Sequence, residues 1–283
     1  MKIFKQSFVN RMCSFQCFLF LFFFTATLGQ VQAQLVTLVN NNSTVDINTS
    51  GPGAGASNWR VDGINQLYYQ WFYYRLGPVG GESPINAISA PTIGTPTASR
   101  LDLSYNNGLY STAVRFTLTG NTPGSSSSGL SETITLQNTS ANTLDFHFFQ
   151  YSDFDLGGSD LNQTVQFFTN GIGQYFKAVQ TGNGMTVTET VTSAAVPIGH
   201  VEANVYANTA NSLTDGLPTT LNDVTASGPG DGTFAYQWDL SIAPGSSFII
   251  SKILSVVPEP SSAALLSLGI LGFGLLRRRS QKV

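Results

Sequence analysis

Apolar and polar side chains alternate along Leu109 to Thr119: Tyr110, Thr112, Val114, Phe116 and Leu118 fall at one parity, Ser111, Ala113, Arg115, Thr117 and Thr119 at the other. Successive side chains of an extended chain point to opposite faces, so a period of two describes a half-buried strand and no helix. The pattern returns in Phe234, Tyr236, Trp238 and Leu240, which alternate with Ala235, Gln237, Asp239 and Ser241. Ala243-Pro244-Gly245-Ser246 then reads as a turn and Phe248 to Leu254 as a return strand, which predicts a hairpin. Further strands are predicted at Gln66 to Leu76, Glu132 to Asn138, Leu144 to Tyr151, Thr164 to Thr169, Tyr175 to Gln180, Met185 to Thr192 and His200 to Tyr206. Clusters of Gly, Asn, Ser and Pro separate them. The expected fold is an all-β antiparallel β-sandwich, jelly-roll-like.

Three stretches depart from this pattern. Leu213, Leu217 and Leu221 suit a helical face, but Gly216 and Pro218 interrupt it, so Ser212 to Asn222 is expected to be a loop with a helical turn. Asn40 to Ser57 and Gly120 to Gly129 are poor in hydrophobes and are expected to be exposed loops. No repeat of fixed period is visible, which argues against a propeller or solenoid.

Both chain ends carry addresses. Lys2, Lys5 and Arg11 precede an apolar run from Cys13 to Leu28, and Val31-Gln32-Ala33 supplies small residues at the cleavage positions. This predicts a signal helix within residues 1–33, removed by signal peptidase between Ala33 and Gln34. Cys13 and Cys17 leave with it, so the exported chain has neither a disulfide nor a thiol nucleophile. At the other end Pro258-Glu259-Pro260 is followed by an apolar run from Ser261 to Leu276 and by Arg277, Arg278 and Arg279. Sixteen residues at ~1.5 Å each cover about 24 Å of a hydrocarbon core roughly 30 Å thick, a short single transmembrane helix over 261–276. The arginines hold the basic tail 277–283 in the cytoplasm and leave residues 34–257 across the membrane.

Proline, glutamate and proline before one short span and an arginine cluster resemble the PEP-CTERM sorting signal of Gram-negative bacteria. The resemblance implies recognition of Pro258, Glu259 and Pro260 by an exosortase, passage through the inner membrane, and release to the cell surface or extracellular matrix in bacteria that make extracellular polysaccharide. The alternative is a plain C-terminal anchor. Asn58 to Gly63, Phe149 to Leu156 and Phe234 to Asp239 also resemble segments of exported proteins with this tail, which bears on placement and fold and supplies no mechanism.

Residues 34–257 carry six basic and fifteen acidic side chains, a net charge of −9. Phosphate recognition needs a positive footprint, so nucleic acid is excluded as a partner. Within Tyr151 to Asp160, Asp153, Asp155 and Asp160 offer the hard oxygen ligands that Ca²⁺ prefers, although the spacing is not that of an EF-hand. The competing reading is a turn in which the carboxylates accept backbone N–H bonds. Trp59, Tyr69, Trp71 and Tyr73 could form a platform on which sugars stack, or could pack in the core; Tyr69, Trp71 and Tyr73 share one strand face. His147 and His200 have no zinc-site spacing, and no catalytic residue is assigned. The sequence therefore predicts a non-enzymatic exported surface or matrix protein. Its alternative is a calcium-supported carbohydrate-binding module, with a glycosidase third.

Overall fold

The computed structural model describes residues 34–259, and the expected signal helix, the membrane helix over 261–276 and the arginine tail lie outside the described residues. Within 34–259 the chain forms β1 (Leu35–Asn40), β2 (Ser43–Asn48), β3 (Gly55–Val61), β4 (Ile64–Asn65), β5 (Tyr69–Leu76) and β6 (Ser83–Pro84). Then follow β7 (Thr92–Thr97), β8 (Arg100–Asn106), β9 (Tyr110–Gly120), β10 (Ser128–Asn138), β11 (Leu144–Asp153) and β12 (Gln163–Thr169). The last six are β13 (Tyr175–Gly182), β14 (Met185–Ala194), β15 (His200–Val205), β16 (Ala226–Gly230), β17 (Gly232–Ile242) and β18 (Ser247–Pro258). A short helix α1 (Asn208–Ser212) follows β15. Among the described residues no helix is long and apolar enough to cross a membrane.

The strands form two nine-stranded antiparallel sheets. The first runs β1-β2-β3-β5-β11-β17-β15, with β4 beside β3 and β6 beside β5; the second runs β16-β12-β13-β14-β18-β10-β9-β8-β7. Their inner faces meet: Phe72 of the first sheet lies 6.2 Å from Phe116 of the second, and the indole of Trp59 donates to Ser128 Oγ at 3.2 Å. Each sheet has nine strands, where a jelly roll has eight strands in all. The alternation in β9 holds, with Tyr110, Thr112, Val114, Phe116 and Leu118 all buried. A seam of rings lines the interior, from Tyr74 and Phe146 through Phe72, Phe148, Trp238 and Tyr236 to Phe167 and Phe234.

The predicted hairpin at Pro244-Gly245 is corrected. β17 pairs with β11 and β15, while β18 pairs with β10 and β14, so the turn carries the chain from one sheet to the other. Both strands have one strongly apolar face, and those faces oppose each other across the interior. Asn138 secures this arch: its buried amide donates to Ile242 O and Asn142 O at 2.7 Å, and its carbonyl accepts from Gly245 N at 2.9 Å.

Asn40 to Ser57 is likewise not an exposed loop. It contains β2 and the start of β3, with Val45, Ile47 and Ala56 buried. The abundant Asn and Ser of that stretch hide a short alternation, Ser43, Val45 and Ile47 inward against Thr44, Asp46 and Asn48. The strands β7 and β8 were not anticipated, although Leu101, Leu103 and Tyr105 alternate there and are buried. The segment 212–222 begins on the last residue of α1 and continues as a loop, with Leu213 and Leu221 buried and Leu217 exposed.

Candidate functional site

Four neighbouring strands of the first sheet bring their ends together at one edge. Asp153 is the last residue of β11 and pairs with Tyr69 of β5 and Thr233 of β17. Tyr68 directly precedes β5 and donates its backbone N–H to Asp153 O at 3.0 Å. Asp231 directly precedes β17 and accepts at its carbonyl from the N–H of Tyr206, which follows β15, at 3.0 Å. Tyr68, Asp153, Asp155, Asp160, Tyr206 and Asp231 line a cavity of about 250 Å³.

The loop after β11 is fixed by amide side chains. Gly157 takes φ +68°, a left-handed conformation suited to glycine, and its N–H donates to Gln66 Oε1 at 2.9 Å. A Cβ there would also meet Asn183 at 3.0 Å. Asn183 Nδ2 donates to Leu156 O at 2.9 Å and Leu161 O at 3.1 Å, while Gln180 Nε2 donates to Phe154 O at 2.9 Å. These bonds hold Asp155 against Asp153 without neutralising either.

Oxygens from Asp153, Asp155 and Asp231 all lie within 4.8 Å of one another. Asp153 is 2% exposed, and its Oδ1 has no hydrogen-bond partner. Its other oxygen accepts only a 3.3 Å bond from Tyr151 Oη. Burial first, then the charges of Asp231 and Asp155, push the Asp153 carboxyl up to about 8. Asp155 and Asp231 are raised for the same two reasons, burial first and neighbouring carboxylates second. Three carboxylates so close repel one another unless a proton or cation joins them. The oxygen set and the orphaned Asp153 Oδ1 fit a hard cation such as Ca²⁺. At the mouth Tyr68 and Tyr206 stand edge to face, centroids 6.0 Å apart, and they are 54% and 49% exposed.

The sequence singled out Asp153, Asp155 and Asp160. The structure brings the first two together, adds Asp231 as a third carboxylate, and leaves Asp160 on the cavity wall. Asp231 lies 76 or more positions from the other two in the chain, so only the pairing of β11 with β17 reveals it. The aromatic platform is corrected: Trp59, Trp71 and Tyr73 are buried, and Tyr69 is largely covered. Trp59 faces the second sheet, whereas Tyr69, Trp71 and Tyr73 lie under loops that cover the outer face of the first. Trp71 Nε1 donates to Asn86 Oδ1 at 3.0 Å and Tyr69 Oη to Ala54 O at 2.9 Å. A Cβ on Gly55 would stand 2.4 Å from the Tyr69 ring, so this cover depends on glycine.

Two other features lie apart from the cleft. His147 and His200 meet at Asp239, at 2.5 Å and 3.9 Å, a closeness that their sequence separation did not suggest. A larger groove of about 430 Å³ crosses β7 to β10, but its Asp102 is already paired with Arg100 and Arg115 at 2.7 Å.

Of the terminal residues, Gln34 is described, and its carbonyl accepts from Thr49 N and Oγ1 at 3.0 Å; Ala33 is outside the described residues. Pro258 ends β18 opposite Met185, and Glu259 N donates to Gly184 O at 2.9 Å. Pro260 and Arg277 to Arg279 lie outside the described residues. A family model for the PEP-CTERM protein-sorting motif matches residues 256–279. The chain carries a PEP-CTERM sorting motif. That motif indicates an exported, exosortase-processed protein.

No curated protein matches the sequence. Among solved structures, the fold is similar to an Escherichia coli K12 protein described as an aldose 1-epimerase, at 12% identity, covering 80% of this chain and 99% of that one with a TM-score of 0.53. A bacterial glucoamylase complexed with acarbose matches 87% of this chain and 37% of its own, at 10% identity and a TM-score of 0.54. A homologue of aldose epimerase from C. elegans matches at 8% identity over 81% of this chain and 100% of its own, with a TM-score of 0.50. Identities this low establish a shared fold and no more.

Proposed function

We propose that this chain is a non-enzymatic protein of the cell surface or extracellular matrix of a Gram-negative bacterium, whose exported domain binds carbohydrate at the acidic cleft with the support of Ca²⁺. The observation that carries this reading is the convergence of Asp153, Asp155 and Asp231 beneath two exposed tyrosines, with Asp153 Oδ1 buried and unpartnered. Tyrosine rings offer sugars a flat apolar face with a polar edge, and a cation held by carboxylates can coordinate hydroxyl groups. The solved structures of similar fold include carbohydrate-active proteins, which is compatible with a sugar ligand.

In this reading signal peptidase acts between Ala33 and Gln34, the globular domain crosses to the periplasmic side, and an exosortase acts at Pro258, Glu259 and Pro260 while Arg277 to Arg279 hold the tail inside. Retention of the exported protein on the host's own polysaccharide tests the binding function. The wild type should be retained in millimolar Ca²⁺ and released by chelator, and the Tyr68→Ala, Tyr206→Ala double variant should pass through while melting as the wild type does. Wild-type protein that fails to bind in Ca²⁺ would leave a passive structural role. An intact mass of the extracellular product that still includes Arg277 to Arg279 would make the tail a plain anchor.

A further inference from the structure

Between the two sheets, away from the cleft, lies a closed polar cluster. Lys252 of β18 is 1% exposed and projects among Ile250, Leu254 and Val256, which share its inward face. Glu132 Oε2 of β10 lies 2.6 Å and Glu189 Oε1 of β14 lies 3.0 Å from its Nζ. Gln150 of β11, in the opposite sheet, is fully buried and accepts from Lys252 Nζ through its carboxamide oxygen. Glu189 Oε1 also accepts from Gln150 Nε2, at 2.7 Å. One carboxylate oxygen therefore touches both the lysine nitrogen and the carboxamide nitrogen. The Phe72 ring closes the pocket 5.2 Å from Nζ.

An amine and a carboxamide condense only under demanding conditions. The amine must lose its proton and face the carbonyl, a group must carry protons between the two nitrogens, and water must be kept out. The neutral amine is the form that acts as a nucleophile. Burial, foremost among its causes, raises the Glu132 carboxyl, and it is Glu189 Oε1 that touches both nitrogens. Fixed strands hold the partners in register, since Glu132 pairs directly with Lys252.

We propose that Lys252 and Gln150 form an intramolecular isopeptide bond with Glu189 as proton carrier, tying β11 of one sheet to β18 of the other. Glu189 takes a proton from the Lys252 ammonium, and the Nζ lone pair attacks Gln150 Cδ. The tetrahedral adduct receives that proton from Glu189 on Nε2, and the Cδ–Nε2 bond breaks to release ammonia. Glu189 then removes a proton from the new Nζ–Cδ amide and ends protonated. No oxidant or cofactor takes part, and the balance is one amine plus one carboxamide giving one secondary amide plus ammonia. A bond of this kind would supply a covalent cross-link to residues 34–257, which contain no cysteine. It would also anchor the strand that leads into the sorting motif. The inference does not depend on sugar or cation binding at the cleft.

The test is tryptic digestion of the denatured full-length chain followed by tandem mass spectrometry. Trypsin cuts after Arg115, Lys177 and Lys252, so an unlinked chain gives separate peptides 116–177 and 178–252. The linked chain should give one branched peptide that joins residues 116–177 to the C-terminal segment, uncut at Lys252 and one ammonia lighter than its two parts. Glu189→Gln should return the separate peptides, as should Gln150→Ala. Because the wild-type digest decides the matter, a variant that fails to fold does not blunt it. Complete cleavage at Lys252 in folded wild-type protein would overturn the proposal, and so would a branch one water lighter, which would place the bond on Glu132.

Discussion

The cleft at the end of β11 and the pocket between the sheets each gather carboxylates, but only the pocket encloses a basic side chain of its own. In the pocket, Glu132 and Glu189 flank Lys252 within 3.0 Å, and all three side chains are sealed from water. In the cleft, Asp153, Asp155 and Asp231 converge with no basic residue lining the cavity, and the space opens past two exposed tyrosines. Buried carboxylates are tolerated when a positive partner and hydrogen bonds offset their desolvation. A cluster that lacks both at close range draws its positive charge from outside, as protons or as a bound cation. The same residue type thus faces a basic side chain in one place and an open cavity in the other.

The comparison breaks most visibly at Lys252. Lys252→Met removes the basic side chain that Glu132 and Glu189 face, together with the cross-link proposed for it, and a loss of roughly 3–5 kcal/mol is expected. Urea unfolding followed by tryptophan fluorescence measures it. Adding Glu132→Gln and Glu189→Gln should recover part of the loss. A Lys252→Met variant within about 1 kcal/mol of wild type would show that the pocket has no architectural role.

Much of this contrast is written in strand parity. Lys252, Glu132 and Glu189 each sit at the inward parity of an apolar strand, beside Ile250 and Leu254, Leu130 and Ile134, and Val187. A charge at such a position is legible in sequence, but its partner on another strand is not. Alternation alone located β9, β11 and β17 to within a few residues, because their large apolar side chains dominate the pattern. It failed for β2, where only Val45 and Ile47 carry the signal, and for the connection at Pro244-Gly245. There a four-residue turn is equally consistent with a hairpin and with an arch. The aromatic run at β5 misled because both faces of that strand are covered, one by the second sheet and one by loops whose packing no local pattern announces. Asp153 and Asp155 were legible as a pair, whereas Asp231 and the two tyrosines reach the cleft only through the pairing of β5, β11, β17 and β15.

A smaller effect is expected when the cleft receives its cation. At a Ca²⁺ concentration a hundred times Kd, folded protein gains about 2.7 kcal/mol, read as a rise in melting temperature after prior chelation. The pH dependence has a definite sign. Asp153 has its carboxyl raised to about 8 in the folded chain against roughly 3.9 when unfolded, so between those values the folded state holds more protons. Chelated protein should therefore be most stable below about pH 4 with respect to this group and lose that contribution as pH rises toward 8, while the Ca²⁺ shift grows over the same interval. Asp153→Asn should flatten both trends. Chelated and Ca²⁺-loaded protein with identical melting curves at pH 8 would leave the cleft without a cation.

The finest test separates Asp231 from Asp160, the carboxylate the structure adds to the cluster from the one the sequence favoured. Asp231 offers an oxygen within 4.8 Å of those of Asp153 and Asp155, and its Oδ1 is buried without a partner. Asp160 is exposed on the cavity wall and acts on its neighbours only through its charge. Asp231→Asn should thus remove most of the Ca²⁺-induced rise in melting temperature, whereas Asp160→Asn should weaken calcium affinity by a few-fold at most, within the roughly 1 kcal/mol expected of a solvent-screened charge. Isothermal titration of the two variants at two ionic strengths distinguishes direct coordination from long-range attraction. Added salt should erase the difference between Asp160→Asn and wild type and leave the Asp231→Asn defect in place. If Asp160→Asn instead proves the more damaging at both salt concentrations, the loop after β11 closes over the ion, and the geometry of the cation-bound cleft differs from the one described.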